Sequence, residues 1–540
     1  MSQFEVLPSR STYSPEESIE VEIRNLPEGG ELSIWNLGVC VSRFACNRDG
    51  FHSLGALVSG GYGIEVNAGT QFCRTAVEVI ADPRQRMRYG FVADYSPGRE
   101  LSGVKDNIRR LHLSGIQFYD WAYRHADLLG GGDDYLDALD QPISLATVRN
   151  LVSTVRETGA VALGYAAVYA VGPNEWDLWK HNALLTASGS PFGLSDFLFI
   201  LDPASPDWLS HFTKELNAAS EIIGFDGFHL DQYGYPKRAS RVDGVIVDVA
   251  ASFDEVIKSA RTALPQSRLI FNNVNDFPTW VSAHSPQDAV YIEVWPPHVT
   301  LNSLASVVTR AKSISGGKPV VIAAYQHVYD SASVAASDLA TKFTMATLFS
   351  HGATQILAGE SDRILVDPYY VRNHATEAST QNLLKNWYDF LVENDQVLLD
   401  PEIVEVTGSY AGKYNDDCDI DFADARVIDN AEAGIVWRRI TSIKDQLIVH
   451  LINLVGQDDV LWDAARNTPG NPGLSLLRIR VIKGQVPRVR VASPDFTPRL
   501  IELSVSLEGD YAVALLPPLE IWQVIVIDQS NSYSQGVYLD

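Results

Sequence analysis

Along residues 1–84 apolar and polar positions alternate. SIEVEIRNLP and GELSIWNLGVCVSRF put every second side chain on one face, with Gly, Pro and Asn between the runs. That two-residue period is the mark of strands with one buried face. It predicts an N-terminal β-sandwich of the immunoglobulin type over 1–84. From about residue 85 the texture changes. Short apolar runs now alternate with longer stretches of helical period. The runs are RYGFVADY (88–95), GIQFYDW (115–121), AVALGYAAVYA (160–170), GFDGFHLDQYG (224–234), RLIFNNVN (268–275), AVYIEVW (289–295), PVVIAAYQ (319–326) and ATQILAGE (353–360). Amphipathic segments such as DEVIKSARTAL (254–264) and LNSLASVVTRAKSI (301–314) lie between them. Eight such units predict a (β/α)8 TIM barrel over 85–395. The alternative, a doubly wound open sheet, is disfavoured because no Gly-rich nucleotide fingerprint follows the first strand. After residue 396 the alternation returns in DQLIVHLINLVG and YAVALLPPLEIWQVIVID, with Pro517-Pro518 as a break. A C-terminal β-sandwich over 396–540 is expected. The fold class is therefore multidomain, a central barrel flanked by two sandwiches, as suits a chain of 540 residues.

In a barrel enzyme the chemistry sits where strands end at the C-terminal face. The second run ends Tyr119-Asp120-Trp121 and continues to Tyr123, Arg124 and His125. The third carries Tyr165 and Tyr169, and the fourth ends His229-Leu230-Asp231-Gln232-Tyr233. The fifth ends Asn272-Asn273-Val274-Asn275, the sixth Glu293-Val294-Trp295, the seventh Tyr325-Gln326-His327 and the eighth Glu360. Rings, amides and carboxylates on one rim suit a sugar, whose faces stack on aromatics and whose hydroxyls bond in pairs. The candidate substrate-binding set is Tyr119, Asp120, Trp121, Tyr123, His125, Tyr165, Tyr169, His229, Gln232, Tyr233, Asn273, Asn275, Trp295, Tyr325, His327 and Glu360. The long links 122–159 and 171–223, with Trp176 and Trp179 in the second, are expected to form walls.

Cleaving an acetal needs one ionised and one protonated carboxyl group. Asp231 and Glu293 fit, each ending an apolar strand, two strands apart. The shorter Asp suits a nucleophile. The longer Glu, flanked by Val294 and Trp295, suits an acid/base whose pKa burial raises. A metal site drawn from His125, His229, Asp231, Glu293 and His327 lacks the usual ligand spacing, and no G-x-S-x-G elbow is present. No metal and no cofactor is expected.

The net charge of −25 argues against nucleic acid and against anionic membrane surfaces as partners. No apolar run reaches the length of a membrane span. Cys40, Cys46, Cys73 and Cys418 form no C-x-x-C pair, and free thiols are expected. The acidic stretch NDDCDIDFAD (415–424) lacks the glycine of a calcium loop and reads as a solvated turn. No basic and then apolar leader follows Met1-Ser2-Gln3, which favours a cytoplasmic location unless a leader has been removed. Oligomeric state leaves no mark in the sequence.

RYGFVADY, GIQFYDWAYRH (115–125), GFDGFHLDQYG and VYIEVW, with LPPLEIWQVIVI near the end, resemble the signatures of glycoside hydrolase family 66. That family holds dextranases and cycloisomaltooligosaccharide glucanotransferases. The resemblance implies retaining cleavage of α-1,6-glucan, with Asp231 as nucleophile and Glu293 as acid/base. It further implies that Tyr119, Asp120 and their neighbours line the subsite for the non-reducing-side glucose. No link between strands is long enough for an inserted carbohydrate-binding module, which favours hydrolysis over cyclisation. His229 and Tyr233 depart from the smaller, more polar residues expected beside the nucleophile, and leave the finer substrate preference open. A transglycosylase and a non-catalytic glucan-binding protein are the competing readings.

Overall fold

The computed structural model describes residues 4–412, 414–482 and 485–529. The opening Met1-Ser2-Gln3 and the end of the expected C-terminal sandwich, 530–540, lie outside the described residues. At the centre are eight strands: β1 (Tyr89–Val92), β2 (Gly115–Phe118), β3 (Val161–Ala167), β4 (Gly227–Asp231), β5 (Arg268–Val274), β6 (Ala289–Glu293), β7 (Val320–Ala323) and β8 (Ala353–Gln355). They pair in chain order, and every ladder is parallel. The ring closes by side-chain and backbone contact. Thr354 in β8 donates its hydroxyl to the Met87 carbonyl just before β1, at 2.6 Å. A Cβ at Gly359 would stand 2.4 Å from the Phe91 carbonyl oxygen, so glycine alone permits this approach of the segment after β8 to β1.

The outer ring is α1 (Ser102–Arg110), α2 (Leu145–Glu157), α3 (Pro206–Ile223), α4 (Val249–Ala263), the single turn α5 (Thr279–Ser282), α6 (Leu301–Ile314), α7 (Val334–Ser350) and α8 (Ala378–Glu393). Local chemistry sets their ends. Proline opens α3, where its missing N–H costs nothing, and Gly224 closes it at φ 91°. The Asp248 carboxylate caps α4 by accepting the Ala250 N–H. Thr300 and Ser303 cap the start of α6 reciprocally.

Two antiparallel sheets precede the barrel. One pairs Glu5–Pro8, Ile19–Arg24 and Gly50–Gly55; the other pairs Gly30–Asn36, Val39–Cys46, Gly60–Ala68 and Gln71–Val79. Ile23, Ile34, Ile64 and Val77 fill the space between them. After the barrel, a sheet built on Val436–Ile443, Gln446–Asn453 and Trp522–Asp528 packs on a second that holds Cys418–Phe422, Ser475–Arg480 and Tyr511–Leu516. The acidic stretch is thus corrected from turn to strand. Cys418, Ile420 and Phe422 alternate into the core, while Asp416 and Asp417 pair with Arg480 at 2.6 and 2.5 Å. All four cysteines are free thiols. Among the described residues no helix is long and apolar enough to cross a membrane.

Candidate active site

A cavity of about 460 Å³ opens at the C-terminal end of the barrel. Strand alternation decides which polar residues reach it. Tyr165 lies level with His229, and Ala167 with Asp231, across β3 and β4. Asn272 lies level with Tyr291, and Val274 with Glu293, across β5 and β6. All of these except Ala167 line the cavity. The odd-numbered neighbour Asn273 has the other parity and leaves the site.

One amide joins the two carboxylates. Asn272 Nδ2 donates to Asp231 Oδ1 at 2.7 Å and to Glu293 Oε2 at 2.9 Å. Only the NH2 end of the amide can serve both acceptors, which fixes its orientation. Each carboxylate receives a second donor on its other oxygen. The Tyr165 hydroxyl donates to Asp231 Oδ2 at 2.7 Å, and the Tyr325 hydroxyl to Glu293 Oε1 at 3.1 Å. The donors found on the two carboxylates are this amide and these hydroxyls, and among the described residues neither is ion-paired. Burial therefore raises Asp231 above its usual range, opposed by Asn272 and Tyr165. Glu293 is pushed up to about 7, first by burial and then by the charge of Asp231. The charge of Asp231 is thus one reason that Glu293 holds its proton.

The floor is aromatic. His229 stacks between Tyr89 and Tyr165, with ring centroids 5.9 and 6.2 Å away, and meets the edge of Tyr291 at 4.7 Å. Burial holds its pKa down at about 3, so the imidazole is neutral. Tyr119 stacks on Tyr370 at 4.2 Å. Trp295 and Tyr325 form one wall, their rings 5.8 Å apart. Asn275 holds Trp295 in place, accepting its N–H at 3.2 Å and donating to the Pro296 carbonyl at 2.9 Å. Gln232 reaches the lining, but its amide is spent on the Asn272 and Phe277 carbonyls at 3.1 and 3.0 Å. Tyr233 lies over Tyr169.

Of the expected set, Tyr119, Tyr165, His229, Asp231, Gln232, Tyr233, Asn275, Glu293, Trp295 and Tyr325 meet on the cavity. The others do not. Trp121 is wholly buried, its indole N–H donated to the Tyr165 carbonyl, because β2 ends sooner than expected and the ring turns into the core. Tyr169 is buried beneath Tyr233, donating to the Tyr235 carbonyl and accepting the Tyr233 N–H. Asn273 faces outward and donates to the Tyr291 carbonyl. Glu360 pairs with Arg99 and accepts the Ala93 and Asp94 N–H groups. Tyr123 packs on Tyr135 beneath the Arg124 guanidinium. Asp120 and His125 face a separate void of about 10 Å³ beside the cavity, room for one water. There, burial and then Asp137 push Asp120 up to about 8. His327 stays on the rim, bonded to Asp463 at 3.0 Å. Asp463 belongs to a strap from the C-terminal sheets, whose Trp462 also donates to the His298 carbonyl at 2.7 Å.

Sequence reasoning missed Asn272, Tyr291 and Tyr370. The first two were reachable by parity, since Tyr291 shares its face with Glu293. Tyr370 sits in an irregular segment after β8, where no period announces it. Among the described residues no group of three or more His, Cys, Asp or Glu side chains is placed to hold a metal ion.

Three kinds of relative share this arrangement of chain. A cycloisomaltooligosaccharide glucanotransferase from Niallia circulans is 23% identical over 87% of this chain. A dextranase from Streptococcus salivarius is 23% identical over 82%. The chain spans 64% of the length of each, just under two thirds. In structure, a Paenibacillus sp. cycloisomaltooligosaccharide glucanotransferase complexed with cycloisomaltoheptaose superposes with a TM-score of 0.86 at 19% identity, covering 97% of this chain and 100% of that one. An α-amylase from Geobacillus thermoleovorans shares the fold more distantly, with a TM-score of 0.50 at 12% identity, covering 82% of this chain and 98% of that one. The profile of glycosyl hydrolase family 66 matches residues 56–526, and the chain belongs to that family.

Proposed function

We propose that this protein is a retaining glycoside hydrolase that cleaves α-1,6-glucosidic bonds of dextran or isomaltooligosaccharides. The observation that carries this reading is the single Asn272 amide bonded to both carboxylates. Those two bonds laid end to end set the upper limit on the separation of Asp231 Oδ1 and Glu293 Oε2. That limit sits near the ~5–5.5 Å of retaining enzymes and short of the ~6.5–9.5 Å of inverting ones. The linkage is taken from the kinship to a dextranase and to cycloisomaltooligosaccharide glucanotransferases.

Asp231, ionised, attacks the anomeric carbon. Glu293 gives its proton to the glycosidic oxygen as that bond breaks. The leaving chain departs and a glucosyl ester of Asp231 remains. Glu293, now a carboxylate, takes a proton from water, whose oxygen attacks the same carbon and frees Asp231. Donors that are neutral, an amide and tyrosine hydroxyls, favour this cycle, because a cation paired with Glu293 would hold it ionised. The protein acts without metal or cofactor in this scheme.

A second reading has its own support, since curated relatives in the family are glucanotransferases. In that case a sugar hydroxyl replaces water in the second step. Incubation with dextran, scored for new reducing ends, tests the main reading. Steady release of reducing ends is expected. Consumption of oligosaccharide at high concentration without new reducing ends identifies transfer instead, and no change in dextran or isomaltotriose contradicts both.

A further inference from the structure

Trp280 stands out from the ten other tryptophans. It is the sole Trp among the exposed large hydrophobic residues described, with 52% of its surface open to solvent. Its neighbours on α5 are fixed. Thr279 and Ser282 are wholly buried; Ser282 bonds to Asn273, and its carbonyl accepts the Gln287 amide at 2.7 Å. Arg310 clamps Asp276 just before the turn. The ring therefore projects from a rigid pedestal, so a ligand would not have to order the backbone beneath it.

The ring also has a route to the cavity. Lys237 lines the cavity on the side of the loop after β4. Its Nζ sits 3.5 Å from the centroid of Phe277, and the Trp280 ring meets the same Phe277 in an edge contact at 5.6 Å. Phe277 is buried, so Lys237 and Trp280 are what a ligand leaving the cavity on this side would meet. A flat exposed ring, with an ammonium group on the other neighbour of Phe277 that donates to the Gly234 carbonyl at 2.6 Å and has further N–H donors, suits a neutral polyhydroxylated chain. Apolar sugar faces can lie on the indole, and hydroxyls can accept from Lys237.

We propose that Trp280 is a remote stacking platform for glucosyl units that run out of the cavity past Lys237, and that it makes the protein favour long α-glucan chains over short ones. This rests on the α-glucan reading above. The platform is separate from the reacting centre and touches neither Asp231 nor Glu293.

The test is calorimetric titration of the Asp231→Asn protein, which binds without turnover, with isomaltose, isomaltotriose and isomaltoheptaose. The Trp280→Ala change in that background is expected to weaken isomaltoheptaose about five- to tenfold. The preference for the heptamer over isomaltose should shrink by the same factor. Trp280→Tyr should restore most of it, since a flat ring returns. Equal weakening of all three ligands, or no weakening of the heptamer, overturns the platform while leaving the substrate reading intact. Failure of the Asp231→Asn parent to bind any of the three overturns the substrate reading and the platform with it.

Discussion

The two ends of the barrel surround their carboxylates with different partners. At the C-terminal end, Asp231 and Glu293 share one amide and receive tyrosine hydroxyls, and among the described residues neither is ion-paired. At the N-terminal end, the barrel meets the first pair of sheets through ion pairs. Arg88, wholly buried, holds both oxygens of Glu78 at 2.8 and 3.0 Å and also donates to the His112 and Ser11 carbonyls. Asp389 on α8 takes His112 on one oxygen at 2.7 Å and Lys385 on the other at 2.8 Å. Burial alone would raise Asp389, but Lys385 and His112 overcome it and hold it at about 2. Glu293, half-buried in the cavity wall, stands at about 7. Burial disfavours charge at both, and for these two groups the partners decide the outcome; Glu393 beside Arg74 and Asp395 beside Arg86 are nevertheless pushed up to about 7, by burial and by neighbouring acids. One end spends its polar groups on holding the sheets to the barrel, and the other joins two acids through one neutral amide.

This contrast predicts where damage should fall. The largest effect belongs to Asp231→Asn and Glu293→Gln, each lowering kcat at least about 10⁴-fold on isomaltotriose. Thermal and denaturant unfolding should show these variants as stable as the parent or more so by about 0.5–2 kcal/mol, because buried carboxyls without cations have been neutralised. At the other end, Arg88→Met leaves buried Glu78 only the more distant Arg86, at 3.7 Å, and should cost about 3–5 kcal/mol in denaturant unfolding, with kcat of the folded fraction little changed. There the pH dependence has a definite sign. Asp389 is depressed below its unfolded value of about 3.9, so its contribution to stability is complete above that pH and is lost as the pH falls toward 2. Asn272→Ala comes next, removing the shared donor and lowering kcat about 10²–10³-fold. Tyr325→Phe is mildest, about tenfold in kcat. The alkaline limb of kcat/KM, set near pH 7 by Glu293, should move to higher pH in this variant, since a donor that favoured the carboxylate is gone. A limb that moves down, or stays, breaks the assignment of Tyr325.

Periodicity revealed more of the scaffold than of the site. Eight apolar runs became eight parallel strands, because a strand buried on both faces writes itself as a continuous apolar word. Asp231 and Glu293 were legible because a carboxylate ending such a word is costly unless used. Three of the expected residues that lie off the cavity show why. Asn273, Trp121 and Glu360 are polar or aromatic residues near the same strand ends, but parity or an early end to the strand turns them away from the axis. Asp389 and Arg88 are invisible as a network in sequence, since 301 positions of chain separate helix from strand and only the closed barrel brings them together. Tyr370 escaped for the same reason, approaching Tyr119 from the far end of the ring.

The account stands most directly on the stereochemistry of the first product. Isomaltotriose should be mixed with the protein and the anomeric protons followed by NMR before mutarotation. Two displacements, through Asp231 and then through water activated by Glu293, predict that the sugar end released from the ester appears first as the α-anomer. Initial release of the β-anomer would mean a single displacement and would contradict the roles given to both carboxylates.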